Sequence, residues 1–579
     1  MNDLLREEKQ LGLGLRSPQR LKQGEDAPKC LEHLIRDGGK LKPLCSKSSL
    51  QPPEVKLVVM QALSEMFSNV RHPHFWGSQA VQIPLAGFLQ GCLDKEAVGE
   101  GQEDLVLLLG SVCDKLRSCE AELLPFFFNE AAADGEEPFL VFTIILQYMH
   151  DTRERVHETV RRSMLACVQL EDPAVANFIA TTAFASELSA EAARQFNWVL
   201  EDGGGDSSLF RVLEHCNHVA SSCDSQALCS KLSEALATDF AQAMQDGLHN
   251  PDPEYCVNAT CLVRAVVVSL KKEEMWEEDW RRAEDDVHGL GNVEAVHRET
   301  HAAILGPIVT ALMDPRLIAG VAARIDGRDG ADEELALESI KLVASLLDLF
   351  EEGVYNSLVL SAVPAGTMAS DEQEFLAALD LHPCLLQHGS TLEEALDAEA
   401  FWARRVWQSK AGGAAVGGLS PRAVGRNVKQ AAGPDSPAAC VQALLNVLSR
   451  FHSNSMAVNV AATAALRSIA SYPHAELERY LFDVSGGAGT GAGAGADGTA
   501  GGLGSVLAVL SAELTEREAG LLSSWEDGNG ALAEQLASLE QSLIAGGTTD
   551  TADAVLLRVL VLRSFVAQLA AALRARCGA

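Results

Sequence analysis

From Pro53 onward, apolar residues recur every three or four positions, the spacing that places them on one face of an α-helix. Residues 55–67 follow this rhythm. In residues 104–116 the side chains of Leu105, Leu108, Leu109, Val112 and Leu116 share a face. Pro138-Phe139-Leu140 opens a further helix, with proline in a first turn that tolerates it, and the pattern continues through Phe142, Ile145, Leu146 and Met149 to His150. Another helix begins near Asp151-Thr152, carries Val156, Val160, Met164, Leu165 and Val168, and stops before Asp172-Pro173. Similar stops fall at Asn250-Pro251-Asp252-Pro253, Asp314-Pro315, His382-Pro383 and Tyr472-Pro473, because proline disfavours a helical residue before it. Residues 503–522 and 552–573 resume the helical pattern. The second of these is apolar almost all round, which predicts a helix buried at the end of a stack.

Helices joined by short turns, without alternating β-runs, predict an all-α protein, an irregular HEAT- or armadillo-like α-solenoid. Helix pairs are spaced by about 35–50 residues with no repeated signature, which fits irregular stacking better than a strict repeat. The expected organisation is a loosely ordered tail and first helix over 1–50 and a helical solenoid over 51–408. A Gly/Ala/Pro-rich linker or loop follows over 409–437, then C-terminal helical repeats over 438–579. A flexible Gly-Ala insertion, 485–504, interrupts the last part. That tract lacks the G-x-x-x-x-G-K-[ST] pattern of a phosphate loop, and no Lys or Arg lies between Arg479 and Arg517.

Composition narrows the function. The 579 residues carry 46 Lys and Arg against 80 Asp and Glu, a formal charge of −34, which argues against nucleic acid as the main partner. Aromatic residues make up only 5%, and the Ala/Leu-rich remainder favours helices over sheets. The first twenty residues lack the apolar core of a signal peptide, and no run of about 18 apolar residues predicts a membrane span. The 14 cysteines form no C-x-x-C pairs, so they are expected to be reduced, buried apolar residues. His215-Cys216-Asn217-His218, followed by Cys223 and Cys229, is weighed as a zinc site and set aside, since one helix cannot turn successive residues into a tetrahedron. No nucleophile, zincin or kinase motif is present, so no catalytic, cofactor or metal residue is assigned.

One segment stands out as a partner surface. Glu273-Glu274 and Glu277-Glu278-Asp279 are interleaved with Trp276, Trp280, Arg281 and Arg282. Trp and Arg are frequent interface anchors, so Trp276, Trp280 and Arg281 are the candidate partner-binding residues beside the plainer reading of a solvated helix face.

A collinear set of segments carries a resemblance. It includes Leu108-Leu109-Gly110-Ser111-Val112-Cys113-Asp114, Leu123-Leu124-Pro125-Phe126-Phe127-Phe128-Asn129-Glu130, Phe139 through Asp151, Arg155-Val156-His157-Glu158 and Phe196-Asn197-Trp198-Val199-Leu200. Phe210 through Cys216, Val354-Tyr355-Asn356-Ser357, Val458-Asn459-Val460 and Tyr472-Pro473-His474 through Asp483 continue it. Together these resemble the FHIP family, the Hook-interacting subunit of the FTS–Hook–FHIP complex, from about residue 50 to the C-terminus. The match is poor over 270–330 and 365–435.

The resemblance implies an α-solenoid without catalytic residues or cofactor. It implies a scaffold that joins a Hook-like coiled-coil protein and an FTS-like protein to vesicle or endosome cargo through a Rab-type GTPase. It would place the chain in the cytoplasm, peripherally recruited to vesicles or endosomes. Trp198, Asn197, Tyr355, Asn356, Pro473 and His474 then read as packing and turn residues. Of Phe126, Phe127 and Phe128, two rings should pack and one can face outward. A charge of −34 opposes direct contact with an anionic leaflet, so recruitment without membrane insertion is expected to run through a protein partner. The alternative is a general HEAT- or armadillo-type adaptor or transport receptor that takes basic partner segments on an acidic face.

Overall fold

A computed structural model describes residues 53–69, 78–93, 101–118, 120–129, 138–202, 207–223, 225–270, 303–327, 332–349, 352–359, 439–472, 503–517 and 554–577, together with Cys45, Val98 and Leu481. Among the described residues every extended element is helical, and the one β-type pairing is an isolated bridge between Phe128 and Phe139. The chain divides into two compact units, Met1–Val199 with Gly205–Phe240, and Leu200–Gly204 with Ala241–Ala579.

The first unit contains α1 (Pro53–Asn69), α2 (Gln79–Gln90), α3 (Gln102–Ser118), α4 (Glu120–Phe127), α5 (Leu140–Leu146), α6 (Glu154–Val168) and α7 (Pro173–Thr181). It continues with α8 (Phe184–Asp202), which ends beyond the unit, then α9 (Ser207–Ser222), α10 (Gln226–Ala235) and a π-helical turn, Leu236–Phe240. Successive helices of one row pack side by side, α1 on α3, α3 on α6 and α6 on α9. The predicted face of α3 is the one it buries, with Leu105, Leu108, Leu109, Val112 and Leu116 all excluded from solvent. Close approach of α3 and α6 depends on Gly110, where an added Cβ would stand 2.8 Å from Thr159 Cγ2.

The second unit contains α11 (Ala241–Leu248), α12 (Pro253–Leu270), α13 (Leu305–Leu312), α14 (Pro315–Asp326), α15 (Glu333–Leu347) and α16 (Glu352–Leu358). After these come α17 (Ala439–Ser449), α18 (Met456–Ser471), α19 (Leu503–Arg517) and α20 (Ala554–Cys577). Here α12 packs on α15, α15 on α18 and α18 on α20, while α14 packs on α17 and α17 on α19. Neighbour-to-neighbour packing of this kind is compatible with stacked helix pairs. Helix α20 buries Leu557, Val559, Leu562, Phe565 and Leu569 around its whole circumference, as its composition predicts.

The proline breaks at Asp172-Pro173, Pro251-Asp252-Pro253 and Asp314-Pro315 fall where expected, and each Asp-Pro pair also opens the next helix, whereas His382-Pro383 and Pro473 lie outside the described residues. Asp172 Oδ1 accepts from the N–H groups of Ala174 and Val175 at 2.8 and 3.3 Å, and Pro173 starts α7. Asp314 Oδ1 does the same for Arg316 and Leu317, and Pro315 starts α14. An acidic N-cap followed by proline satisfies the orphan donors of a first turn and fixes its φ. Gly327, at φ +69°, ends α14 in the left-handed conformation that suits glycine.

The predicted helix from Pro138 to His150 is shorter than expected. Phe139 is the N-cap of α5, and the Pro138 carbonyl accepts from Asn129 N–H at 2.8 Å. Beyond Leu146 the N–H groups of Gln147, Tyr148 and Met149 turn back to the carbonyls three residues earlier. That tighter winding carries Tyr148 into the core. In the Phe triplet, Phe127 is buried, Phe126 and Phe128 are half-buried, and Phe128 meets Phe139 and Phe178 edge to face.

No single helix among the described residues is long and apolar enough to cross a membrane. Helices α13 and α14, bent by 69°, meet length and composition only as a pair, and their apolar faces line the core of the second unit. The linker at 409–437 and nearly all of the Gly-Ala tract lie outside the described residues, as does the N-terminal tail apart from Cys45.

Candidate functional site

The polar side chains of the first unit gather on three helices. On α6, His157 and Arg161 are one turn apart. On α8, Glu187, Glu191, Arg194 and Trp198 form a stripe at i, i+4, i+7 and i+11. On α9, Arg211, His215 and His218 form a third. His150, in the turn after α5, joins them.

Glu191 is the anionic centre of this cluster. Its Oε2 accepts from Arg194 at 2.7 Å and its Oε1 accepts from Gln195 at 2.8 Å. Burial would raise its carboxyl, but the Arg194 and Gln195 hydrogen bonds outweigh this and hold it below the usual range. His150 bridges α8, with Nε2 2.6 Å from Glu187 Oε2 and Nδ1 3.4 Å from Glu191 Oε2. Arg211 of α9 pairs with Glu154 of α6 at 3.3 Å.

Arg161 and His215 differ from these satisfied groups. Arg161 is half-buried and engaged by no hydrogen bond or ion pair among the described residues. Burial lowers its pKa, Glu191 raises it in part, and Arg211 pushes it down further. His215 is 6% exposed and its Nε2 has no hydrogen-bond partner. Burial first, then Arg161, His218 and His157, push its pKa down to about 3. His157 is lowered by burial and Arg161, with Glu191 acting against them. The imidazoles next to Arg161 are therefore held neutral, each able to present one N–H donor.

In the second unit the buried charge is committed to packing. Glu338 of α15 takes Lys341 Nζ at 2.6 Å and stands 3.3 Å from Arg264 of α12. The Arg264 contact is an ion pair without hydrogen-bond alignment, and Arg264 Nε is buried unpartnered. Several thiols in both units are held protonated. Burial pushes Cys45, Cys216 and Cys440 up to about 12, and Cys92 and Cys261 to about 11. Cys113 is raised well above its ordinary value, first by its hydrogen bond to Cys167 with Sγ–Sγ 3.6 Å, and then by burial. Protonated buried thiols are poor nucleophiles.

The candidate partner-binding residues Trp276, Trp280 and Arg281 lie outside the described residues. Cys216 and His215 point into the core, His218 is exposed, and Cys229 Sγ donates to the carbonyls of Ala220 and Cys223. No group of three or more His, Cys, Asp or Glu among the described residues is placed to hold a metal. Trp198, read as a packing residue, is 44% exposed, and Asn197 is exposed beside it, whereas Tyr355 is fully buried. The Arg161–His215 arrangement went unnoticed in the sequence. Its traces there are the His157/Arg161 and Arg211/His215 pairs, each a single helical turn on its own helix.

A model for a family of unknown function, DUF5917, matches residues 438–519. Within the described part of that stretch lie α17, α18 and α19. A comparison with curated proteins finds no match.

Proposed function

We propose that this chain is a non-enzymatic scaffold, resembling FHIP, that links a Hook–FTS pair to vesicle or endosome cargo through a Rab-type GTPase. The observation that carries this reading is the collinear order of its FHIP-like segments from about residue 50 to the C-terminus. The helical rows support it, since stacked helices offer extended surfaces suited to holding several partners at once. The protonation of the buried thiols supports a binding role over a thiol-based chemistry.

The test is affinity purification of the tagged full-length chain under gentle lysis, followed by crosslinking and mass spectrometry. The scaffold reading expects a Hook-like coiled coil and an FTS-like protein at stoichiometric levels, and a Rab-type GTPase when the nucleotide is held as a non-hydrolysable triphosphate. Recovery of proteins joined by basic segments, with no Hook-like protein, would replace it with the transport-receptor alternative.

A further inference from the structure

We propose that His150 is a proton-driven switch in the first unit, which exchanges Arg194 for Glu191 as its partner when the imidazole becomes charged. The neutral ring holds the Arg194 guanidinium, and the imidazolium releases it.

The tautomer follows from the contacts. His150 lies in the turn after α5, and its side chain is 42% exposed, so solvent protons reach it. Arg194 Nη2 stands 2.7 Å from Nδ1 and 3.5 Å from Nε2. A guanidinium only donates, so Nδ1 is the acceptor and carries no proton. Nε2 is 2.6 Å from Glu187 Oε2, and an ionised carboxylate only accepts, so Nε2 carries the one proton of the ring. The neutral imidazole thus relays a hydrogen bond from Arg194 to Glu187 with both nitrogens satisfied.

Protonation reverses the role of one nitrogen. An imidazolium has two donors and no acceptor. Its Nδ1–H then faces the Arg194 N–H at 2.7 Å, donor against donor and cation against cation. A replacement is at hand, since Glu191 Oε2 is 3.4 Å from Nδ1. In the neutral state that oxygen accepts from Arg194 Nη2 at 2.7 Å and from Arg194 Nε at 3.2 Å. The charged ring takes the place of Nη2 there, and the guanidinium turns away from His150. Both states satisfy the ring, one through Arg194 and Glu187, the other through Glu187 and Glu191, and this gives the switch its two arrangements. The other charged groups around the turn are committed elsewhere. Asp151 pairs with Arg153 at 2.6 Å, and His157 of α6 is held neutral by burial and by Arg161. The turn after α5 stays tied to α8 in both states, so the change is confined to the exposed face that carries Arg194.

The experiment follows both side chains of the full-length protein by mass spectrometry from about pH 5 to about pH 8, the range in which imidazoles change charge. Deuterium uptake at the imidazole C2 carbon gives the titration midpoint of His150. Phenylglyoxal labelling, scaled to the exposed Arg316, gives the accessibility of Arg194. Arg194 labelling is expected to rise about threefold as pH falls through the His150 midpoint, and to change by less than about 1.5-fold in His150→Gln. Glu187→Gln removes one of the two carboxylates that face the imidazolium, and is expected to move the His150 midpoint and the Arg194 rise to lower pH together. Thermal melting of each variant separates a lost contact from lost folding, and the unaltered chain alone carries the first comparison should a variant unfold. Arg194 labelling that stays level across the His150 midpoint would overturn the proposal. So would a rise that persists in His150→Gln, or one that stays in place when Glu187→Gln moves the midpoint.

Discussion

The hydroxyl of Tyr355 lies 2.8 Å from the backbone carbonyl of Ser468, joining residues 113 apart in the chain. The same hydroxyl stands 3.0 Å from the Leu347 carbonyl, so one proton serves two helix ends. The ring stacks on Tyr472 with centroids 3.6 Å apart, and Ser468 Oγ donates to Asp348 Oδ1 at 2.5 Å. The end of α18 is thereby tied to α15 and α16 within the second unit.

Tyr355→Phe keeps the ring and removes the proton. Two buried carbonyls lose a donor, which predicts a loss of about 1–2 kcal/mol. Tyr355→Ala adds a cavity and predicts about 3–5 kcal/mol. Urea unfolding of the full-length chain, followed by far-UV circular dichroism, would show the order of the two midpoints. A Tyr355→Phe midpoint equal to that of the unaltered protein would mean that the hydroxyl holds nothing.

Gly110 sits where α3 and α6 touch. Alanine would gain up to about 1 kcal/mol of helix propensity at this position. Its Cβ would, however, stand 2.8 Å from Thr159 Cγ2 and 3.4 Å from Ser163 Oγ. Overpacking of this kind costs about 1–3 kcal/mol, so Gly110→Ala is expected to lower the melting temperature. Thr159→Ser deletes the clashing methyl and keeps the hydroxyl that donates to the Arg155 carbonyl. Stability restored in the Gly110→Ala/Thr159→Ser double variant, measured calorimetrically, would identify that methyl as the obstacle.

Acid sensitivity should trace to His215. Its folded pKa is about 3, below the ordinary imidazole value of about 6.5, so between these limits the unfolded chain binds the extra proton. The contribution is full above about pH 6.5 and is lost as pH falls, at up to about 1.4 kcal/mol per unit. Between pH 7 and 5 the unaltered chain should lose about 2 kcal/mol more than His215→Phe. His157, lowered for the same reasons, adds a loss of the same sign that remains in the variant. Parallel pH–stability curves for the two proteins would refute the assignment to His215.

The helices were legible because burial on one face imposes a 3.6-residue period, as α3 illustrates. Asp172-Pro173 and Asp314-Pro315 were legible as boundaries, but their capping role lies in the φ and ψ of the aspartate, which composition does not carry. The end of α5 was misjudged because Tyr148 and Met149 keep the apolar rhythm through a tighter turn. The site around Arg161 was illegible for a different reason. His157, Glu191 and His215 lie on three helices, and only tertiary packing makes them neighbours. Trp198 was assigned to the core because aromatic residues usually bury; which side of α8 faces solvent depends on neighbours distant in sequence.

Glu338 and Arg264 offer a test of buried charge. Burial alone would raise the Glu338 carboxyl, yet Lys341, the Cys261 thiol and Arg264 together bring it below its ordinary value. The ionised pair is therefore favoured in the folded state despite its desolvation. Glu338→Leu leaves the partly exposed Arg264 without a counter-charge, and with solvent screening it the loss is expected to be about 1–3 kcal/mol. Arg264→Leu should cost less, because Lys341 still reaches Glu338 at 2.6 Å. The double variant replaces an imperfectly aligned pair, at 3.3 Å, with two apolar side chains between α12 and α15. It is expected to be more stable than Glu338→Leu alone, with a coupling of at least about 1 kcal/mol in the double-mutant cycle. Additive single effects would mean that solvent, reaching the partly exposed Arg264, already screens the pair.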